Sequence, residues 1–135
     1  MATIFKEFEI AASPEFVWAA IRDVGAVHTR LAKGFVTDTT LADGVRTVTF
    51  ANGFVVSEKI VTIDDERRRL AYTSVGGKAS HHNAYFQVFA TATGTRLQWV
   101  TDLLPDDARE PISQMVEAGS TAIRETLEQA YSANT

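Results

Sequence analysis

Four polar side chains in the middle of this sequence could act together on a carbonyl compound. They are Arg46, Glu58, Tyr72 and His82. A glutamate or a histidine can remove a proton next to a carbonyl group, and a tyrosine can stabilise the enolate oxygen that results. Histidine suits this role because it titrates near neutral pH. We therefore take Glu58, Tyr72 and His82 as the catalytic candidates.

A structural alternative exists for the same residues. Arg46 and Glu58 carry opposite charges and could form an ion pair that stabilises the fold without taking part in a reaction. No other part of the sequence completes a catalytic set, because it contains neither a nucleophile elbow nor a serine triad signature. We therefore favour a structural and ligand-orienting role for Glu58 over a catalytic one.

The three histidines do not predict a metal site. His81 and His82 are adjacent in a predicted strand, so their side chains should point to opposite faces of the sheet. His28 would have to reach one of them, and a zinc site needs three or four converging ligands. The pair Gly76-Gly77 follows a strand but precedes no helix, so a phosphate-binding loop is not predicted either. We expect no metal and no cofactor.

Composition and charge restrict the remaining classes of function. The chain has 135 residues, 45% of them hydrophobic and 22% charged, which fits one soluble domain over residues 1–135. The net charge of −4 argues against a nucleic-acid partner or an anionic-membrane surface. The absence of cysteine excludes disulfides and thiolate chemistry. No segment has the pattern of a signal peptide or a membrane span, so we expect a cytoplasmic protein without membrane insertion.

Apolar periodicity and turn residues predict an α+β domain. The first strand leads into Ser13-Pro14-Glu15, a helix start with a capping serine and a proline at the first helical position. A second short helix should follow at Val27 to Leu31. Turn signals such as Asp43-Gly44 and Asn52-Gly53 then separate six further strands, and such short turns make a sheet antiparallel. The predicted strands are Thr3 to Ala12, Phe35 to Leu41, Val45 to Phe50, Phe54 to Ile63, Arg69 to Val75, His81 to Ala90 and Arg96 to Leu103.

The last predicted element is a long amphipathic helix with a glycine at its centre. From about Asp107 to Tyr131 the apolar residues recur on one face, which would give a helix roughly 37 Å long that covers the concave face of the sheet. Asp107 and Glu110 have the spacing of a capping box, although Pro111 would also suit a later start. Gly119 interrupts the apolar face, so we expect either a close backbone approach there or space for a ligand.

The order of elements and several short motifs are similar to those of one superfamily. The motifs are Ala12-Ser13-Pro14-Glu15-Phe16-Val17-Trp18, Ala51-Asn52-Gly53, Ser57-Glu58-Lys59-Ile60, Ile63-Asp64-Asp65-Glu66, Val75-Gly76-Gly77, His81-His82-Asn83 and Trp99-Val100-Thr101-Asp102. They resemble the SRPBCC superfamily, which includes START domains and plant abscisic-acid receptors, and most of all its bacterial polyketide cyclase/dehydrase-like group. The resemblance implies a helix-grip fold: a seven-stranded curved antiparallel sheet wrapped around one long C-terminal helix, with two short helices after the first strand.

Strand alternation and this resemblance together predict the lining of an internal cavity. In the receptor-like members of the superfamily a glutamate in the position of Glu58 lines the pocket, which implies that Glu58, Ile60 and Thr62 point inward. We expect the mouth near the Asn52-Gly53 turn and the Gly76–Ser80 loop, since both contain glycine and can move aside. The predicted ligand-binding residues are Arg46, Val48, Phe50, Glu58, Ile60, Tyr72, Ser74, His82, Ala84, Phe86, Trp99, Thr101, Met115, Val116, Gly119 and Ile123.

Two functions of different classes fit these expectations. The first is the binding or carriage of a hydrophobic small molecule, such as a lipid, a polyketide or an aromatic metabolite, because the inward set is mostly apolar with a few polar groups. The alternative is a polyketide cyclase/dehydratase, a lyase-like enzyme that uses acid–base chemistry in the same cavity. A third, weaker alternative is a stress-associated or co-chaperone-like protein that acts through its surface. We favour the first because no strong catalytic signature is present, and we also consider a homodimer.

Overall fold

Strands and helices follow one another along the chain in the predicted order. The structure is a computed structural model that describes residues 2–76 and 79–134. Its elements are β1 (Ala2–Ile10), α1 (Pro14–Arg22), a π-helical turn (Val27–Leu31), β2 (Val36–Ala42), β3 (Val45–Phe50), β4 (Val55–Asp64), β5 (Arg69–Val75), β6 (His81–Ala90), β7 (Thr95–Leu104), a 3₁₀ turn (Asp106–Ala108) and α2 (Arg109–Ala133).

The strands form one seven-stranded antiparallel sheet in the order β1-β7-β6-β5-β4-β3-β2. Strands β2 to β7 pair with their chain neighbours, as the short turns predict. The first strand instead pairs with the last, so β1 and β2 lie at opposite edges of the sheet. The segment with α1 and the π-helical turn spans the distance between them. The sheet is curved and carries the long C-terminal helix, which confirms the predicted α+β helix-grip fold.

The first helix begins where the sequence predicts, and its side chains bind the turn between β4 and β5. The Ser13 hydroxyl accepts a hydrogen bond from the Phe16 N–H at 3.2 Å, so the serine caps the helix. On the helix, Trp18 donates its indole N–H to the Asp65 carboxylate at 2.9 Å, and the Arg22 Nε donates to the same oxygen at 2.8 Å. Asp65 lies in the turn between β4 and β5, so one carboxylate fixes α1 against this turn.

The long helix starts later than predicted and without the predicted capping box. Asp107 belongs to the 3₁₀ turn, and α2 begins at Arg109 with Ala108 as its N-cap, which supplies no side-chain hydrogen bond. The predicted pairing of Asp107 with Glu110 is therefore wrong. Pro111 is accepted in the first turn because the first backbone N–H groups of a helix have no partner within it. The helix has 25 residues and ends at Ala133.

Contacts of α2 with β1 and the π-helical turn decide where the helix lies. Lys6 on β1 forms an ion pair with Glu117, and the Arg124 Nε donates to the Glu9 carbonyl at 3.1 Å. Beyond the π-helical turn, the Lys33 N–H donates to the Thr126 hydroxyl at 3.0 Å. The helix is thus anchored at the β1 edge and packs most closely there. The sequence had suggested that the helix covers the whole concave face of the sheet. The helix does not do so, and a space remains under β3 to β6.

A β-bulge in β4 changes which residues of that strand point inward. The register between β4 and β5 shifts between Ile60 and Thr62, so that Thr62 pairs with Ala71. A bulge inserts one extra residue and reverses the alternation beyond it. Thr62 is accordingly exposed, which corrects the prediction that it faces the interior with Glu58 and Ile60.

Aliphatic and aromatic side chains from every layer fill the rest of the interior. Ile10, Val17, Ile21, Leu70, Leu97 and Leu127 are among the fully buried ones. None of the helices in the described part of the chain combines the length and the hydropathy that crossing a bilayer requires.

We expect Asp65→Asn to weaken the protein more at neutral than at acidic pH. The Arg22 side chain that hydrogen-bonds Asp65, together with Trp18, holds the pKa of this carboxyl below its ordinary value of 3.8. A carboxyl whose pKa is lower in the folded protein adds stability that is present above pH 3.8 and is lost as the pH falls through the folded pKa. Urea unfolding at pH 6 and pH 3 should give a larger difference in unfolding free energy between wild type and variant at pH 6.

Glu125→Gln on the exposed side of α2 is the matched control, because it also removes one carboxylate. Its effect on the unfolding free energy should change less between the two pH values than the effect of Asp65→Asn. A difference for Asp65→Asn that is equally large at pH 6 and pH 3 would contradict the stabilising role of the Asp65 contacts.

Candidate functional site

A cavity of about 620 Å³ lies between the concave face of the sheet and α2. Strands β3 to β7 form one side of it, and the opposite side comes from α2 and the segment that contains the π-helical turn. Most of the wall is apolar, and its charged side chains among the described residues are Arg46 and Glu58. The volume falls within the range of about 300–1,000 Å³ that is usual for small-molecule sites.

All but two of the predicted ligand-binding residues lie on this wall: Arg46, Val48, Phe50, Glu58, Tyr72, Ser74, His82, Phe86, Trp99, Thr101, Met115, Val116, Gly119 and Ile123. Ile60 and Ala84 are not among the described residues that line it, and this corrects the prediction for both. Ile60 packs against the hydrophobic core instead. Ala84 is buried beside its cross-strand partners Tyr72 and Thr101, whose larger side chains reach the cavity where a single methyl group does not.

The cavity wall opposite the sheet includes residues that were not predicted from the sequence. Val27, Leu31 and Ala32 come from the π-helical turn and its end, and Phe35 and Val36 follow at the start of β2. Strand alternation could not identify them because they lie outside the strands or at a strand end. The apolar pair Val27 and Leu31, one helical turn apart, was the available signal that this segment has a buried face.

The exposed residues of the wall mark its opening. Asn52, Phe54 and Val55 on the β3–β4 hairpin line the cavity and are exposed, as are Gln114 and Ala118 on α2. The cavity therefore opens between this hairpin and the first half of α2. Gly76 and Ala79 also line it, in agreement with the expected position of the mouth. The remaining loop residues Gly77 and Lys78 lie outside the described residues.

A buried ion pair forms the polar end of the cavity. Arg46 and Glu58 are direct cross-strand partners, and the Arg46 Nε donates to Glu58 Oε1 at 2.7 Å. Their side chains are 4% and 12% exposed, so this pair is shielded from water. The Arg46 guanidinium carbon lies 5.0 Å from the centre of the Tyr72 ring, close enough for a cation–π interaction. The Arg46 Nη1 is buried and has no hydrogen-bond partner among the described residues.

Tyr72 connects this ion pair to the aromatic part of the wall. Its hydroxyl accepts a hydrogen bond from the Trp99 indole N–H at 3.0 Å. Burial raises the pKa of the Tyr72 hydroxyl, and the nearby Glu58 carboxylate raises it further, so the tyrosine keeps its proton. The rings of Tyr72 and Phe86 are tilted by 27°, with centroids 6.2 Å apart. Those of Phe86 and Trp99 are tilted by 28° at 4.7 Å. The three rings therefore stack in series, and all three residues line the cavity.

The two adjacent histidines have different environments, as the alternation predicts. His81 is exposed and approaches the Asn83 amide, whereas His82 lines the cavity. The His82 Nδ1 accepts the Ser74 backbone N–H at 3.4 Å, which leaves the ring proton on Nε2. Burial lowers the pKa of His82, and the Glu58 carboxylate opposes this shift only in part. At neutral pH the ring is therefore uncharged.

Gly119 is buried, as predicted, and it lies on the cavity wall. A Cβ atom at this position would lie 3.1 Å from two carbons of the Trp99 ring and 3.2 Å from the Phe35 ring. The glycine therefore accommodates two aromatic side chains of the cavity wall rather than a neighbouring backbone. This contact fixes the Trp99 ring, whose other neighbours belong to the cavity wall.

We expect Arg46 and Glu58 to be energetically coupled. Arg46→Met leaves a buried carboxylate without a partner, and removal of one member of a buried pair costs about 3–5 kcal/mol. Glu58→Gln should also lower the unfolding free energy. The double variant should lose at least about 1 kcal/mol less than the sum of the two single losses. Urea unfolding of the four proteins measures this coupling.

The exposed pair of Arg30 and Asp23, whose atoms lie 2.8 Å apart, is the matched control. Its coupling in the same double-mutant cycle should stay below about 1 kcal/mol. Additive losses for Arg46 and Glu58, or a Glu58→Gln variant as stable as the wild type, would show that the pair does not support the fold.

Comparison with known proteins identifies the family of the chain. The family described as polyketide cyclase / dehydrase and lipid transport matches residues 1–132. No curated protein matches the sequence.

Several solved structures share the fold over nearly the whole chain. The protein XoxI from Bacillus cereus has a TM-score of 0.82 at 19% identity, with 97% of this chain and 96% of that chain covered. A protein from Thermobifida fusca has a TM-score of 0.78 at 24% identity, with 97% and 93% covered. A point mutant of norcoclaurine synthase from Thalictrum flavum, in complex with a transition-state analogue, has a TM-score of 0.69 at 21% identity, with 96% and 95% covered. At these identities the likeness concerns the fold alone, whereas the match over residues 1–132 concerns the sequence itself. The chain belongs to the polyketide cyclase/dehydrase and lipid transport family, of the SRPBCC type.

Proposed function

We propose that this protein binds and carries a hydrophobic small molecule in the cavity between the sheet and α2. The observation that carries the proposal is the cavity itself, with a volume of about 620 Å³ and a mostly apolar wall. Transfer of apolar surface out of water contributes roughly 25 cal/mol per Å² of buried area, which favours an apolar occupant over water. The family description, which includes lipid transport, agrees with this proposal.

The form of the opening supports exchange of the bound molecule. Phe54 and Val55 on the β3–β4 hairpin line the cavity, and they are 55% and 59% exposed. Apolar side chains at the rim provide a path along which a hydrophobic molecule can enter. The expected cytoplasmic location and the homodimer stay predictions.

An enzymatic function is the second candidate, and one observation favours it. The three catalytic candidates Glu58, Tyr72 and His82 all lie on the wall of the same cavity. One acceptor atom in each group that could take a proton is already engaged, however: Glu58 Oε1 accepts from Arg46, and His82 Nδ1 accepts from Ser74. A cyclase or dehydratase needs a free base close to the substrate, so we place binding first.

The enzymatic alternative predicts that turnover is lost without loss of stability. A candidate aromatic polyketide would be converted by the wild type, and Glu58→Gln would abolish this conversion while the unfolding free energy stays nearly unchanged. Product analysis by liquid chromatography, together with urea unfolding, measures both. We expect the opposite result: no turnover by the wild type, and a less stable variant.

The binding proposal predicts that the neutral fluorophore N-phenyl-1-naphthylamine binds the native protein in a saturable manner. Ala118 lies at the rim of the cavity, so Ala118→Trp should obstruct the opening and weaken binding by about tenfold, which corresponds to 1.4 kcal/mol. Fluorescence titration measures the affinity, and native mass spectrometry of freshly purified protein tests for a molecule that co-purifies.

Thr121→Trp is the matched control because it adds the same side chain to the same helix. Thr121 is exposed and is not among the described residues on the cavity wall. This variant should bind the fluorophore as the wild type does. Absence of saturable binding to the wild type, or equal weakening by both substitutions, would refute the proposed function.

A further inference from the structure

We infer that the cavity selects an uncharged aromatic molecule that bears a carbonyl-type oxygen at one end, with Arg46, Tyr72 and His82 as the hydrogen-bond donors for that oxygen. The inference rests on the proposed function and adds the chemical class of the ligand. It follows from three features of the wall: its charge balance, its excess of donors and the aromatic side chains beside them.

The charge balance disfavours an anionic ligand. Arg46 is the one permanent cation among the described wall residues, and Glu58 already neutralises it at 2.7 Å. His82 is uncharged because burial lowers its pKa. A carboxylate ligand would therefore enter an apolar cavity without a counter-ion of its own and would lie near the Glu58 carboxylate. A buried charge without a partner is strongly unfavourable, so a neutral molecule fits better.

The polar end nevertheless offers more donors than the protein uses. The Arg46 guanidinium has five N–H groups. Among the described residues, it donates one hydrogen bond, from Nε to Glu58. The Tyr72 hydroxyl accepts from Trp99 and donates to no described residue. The His82 ring carries its proton on Nε2, since Nδ1 accepts from Ser74. A ligand oxygen that only accepts hydrogen bonds, as in a ketone or a quinone, complements this set.

The aromatic side chains next to these donors favour an aromatic ligand. Tyr72 belongs to both groups, because it carries one of the donors and is the first of three stacked rings in series with Phe86 and Trp99. All three residues line the cavity. An aromatic ligand can contact the parts of these rings that reach the cavity, and such aromatic contacts add to the gain from burial.

Displacement of N-phenyl-1-naphthylamine by four matched compounds tests the inference on the wild-type protein. The compounds are 2-acetylnaphthalene, 2-ethylnaphthalene, 2-naphthoate and the decalin analogue of the ketone. At pH 7.5 the aromatic ketone should bind about fivefold or more tightly than the hydrocarbon, as expected for one or two added hydrogen bonds. It should also bind more tightly than the carboxylate and the decalin ketone.

Each outcome has a distinct meaning. If the fluorophore itself does not bind, the proposed function fails; if it binds and none of the compounds displaces it, the inference is overturned while the proposed function stands. If the hydrocarbon or the decalin ketone binds as tightly as the aromatic ketone, the inference is overturned while the proposed function stands. Tightest binding of 2-naphthoate would likewise overturn it, in favour of an anion site.

A pair of tyrosine variants assigns the preference to the polar end. Tyr72→Phe removes one donor, so the ratio of ketone to hydrocarbon affinity should fall by a factor of about three or more. Tyr85→Phe removes the same hydroxyl from a tyrosine that contacts Arg69 and is not among the described wall residues, and it should keep the wild-type ratio. Thermal unfolding verifies that both variants are folded. An unchanged ratio in Tyr72→Phe would remove Tyr72 from the proposed donor set.

Discussion

The buried ion pair between Arg46 and Glu58 is the interaction on which the polar end of the cavity depends. The two residues oppose each other on β3 and β4, so the register of this hairpin brings them together. A shift of one residue between the two strands would turn one of these side chains to the outer face and separate the pair. The hairpin register thus sets the charge balance of the cavity. It also sets the position of the guanidinium over the Tyr72 ring, which links the ion pair to the stacked aromatic rings.

The cavity exists because the long helix is anchored at one edge of the sheet. Hydrogen bonds and an ion pair hold α2 against β1, and Thr126 ties it to the segment after the π-helical turn. Gly119 lets the Trp99 and Phe35 rings approach the helix closely, so the space is closed at this point by aromatic side chains. Under β3 to β6, no element of similar bulk in the described part of the chain fills the interior. The apolar wall there faces an opening between the β3–β4 hairpin and α2, and this arrangement accounts for the proposed binding function.

Features with a local physical cause could be predicted from the sequence. The capping serine Ser13 marks the start of α1, and turn residues such as Asn52 and Gly53 delimit the strands. Alternation along the strands separated His81 from His82 correctly. The errors arise where tertiary packing decides. The bulge near Val61, which turns Thr62 outward, has no signature in the sequence. The aromatic neighbours of Gly119 come from distant parts of the chain, and so does the part of the cavity wall formed by the π-helical turn.

The most direct test of the account uses the two tryptophans of the chain as internal probes. The Trp99 indole N–H donates to Tyr72 at the cavity, whereas the Trp18 indole N–H donates to Asp65 beneath α1. Titration of ¹⁵N-labelled protein with 2-acetylnaphthalene, followed by NMR, reports on both indole N–H resonances at once. A ligand bound in the cavity should shift the Trp99 resonance in a saturable manner and leave the Trp18 resonance constant. Two unchanged resonances, or a shift confined to Trp18, would contradict the claim that this cavity binds an apolar molecule.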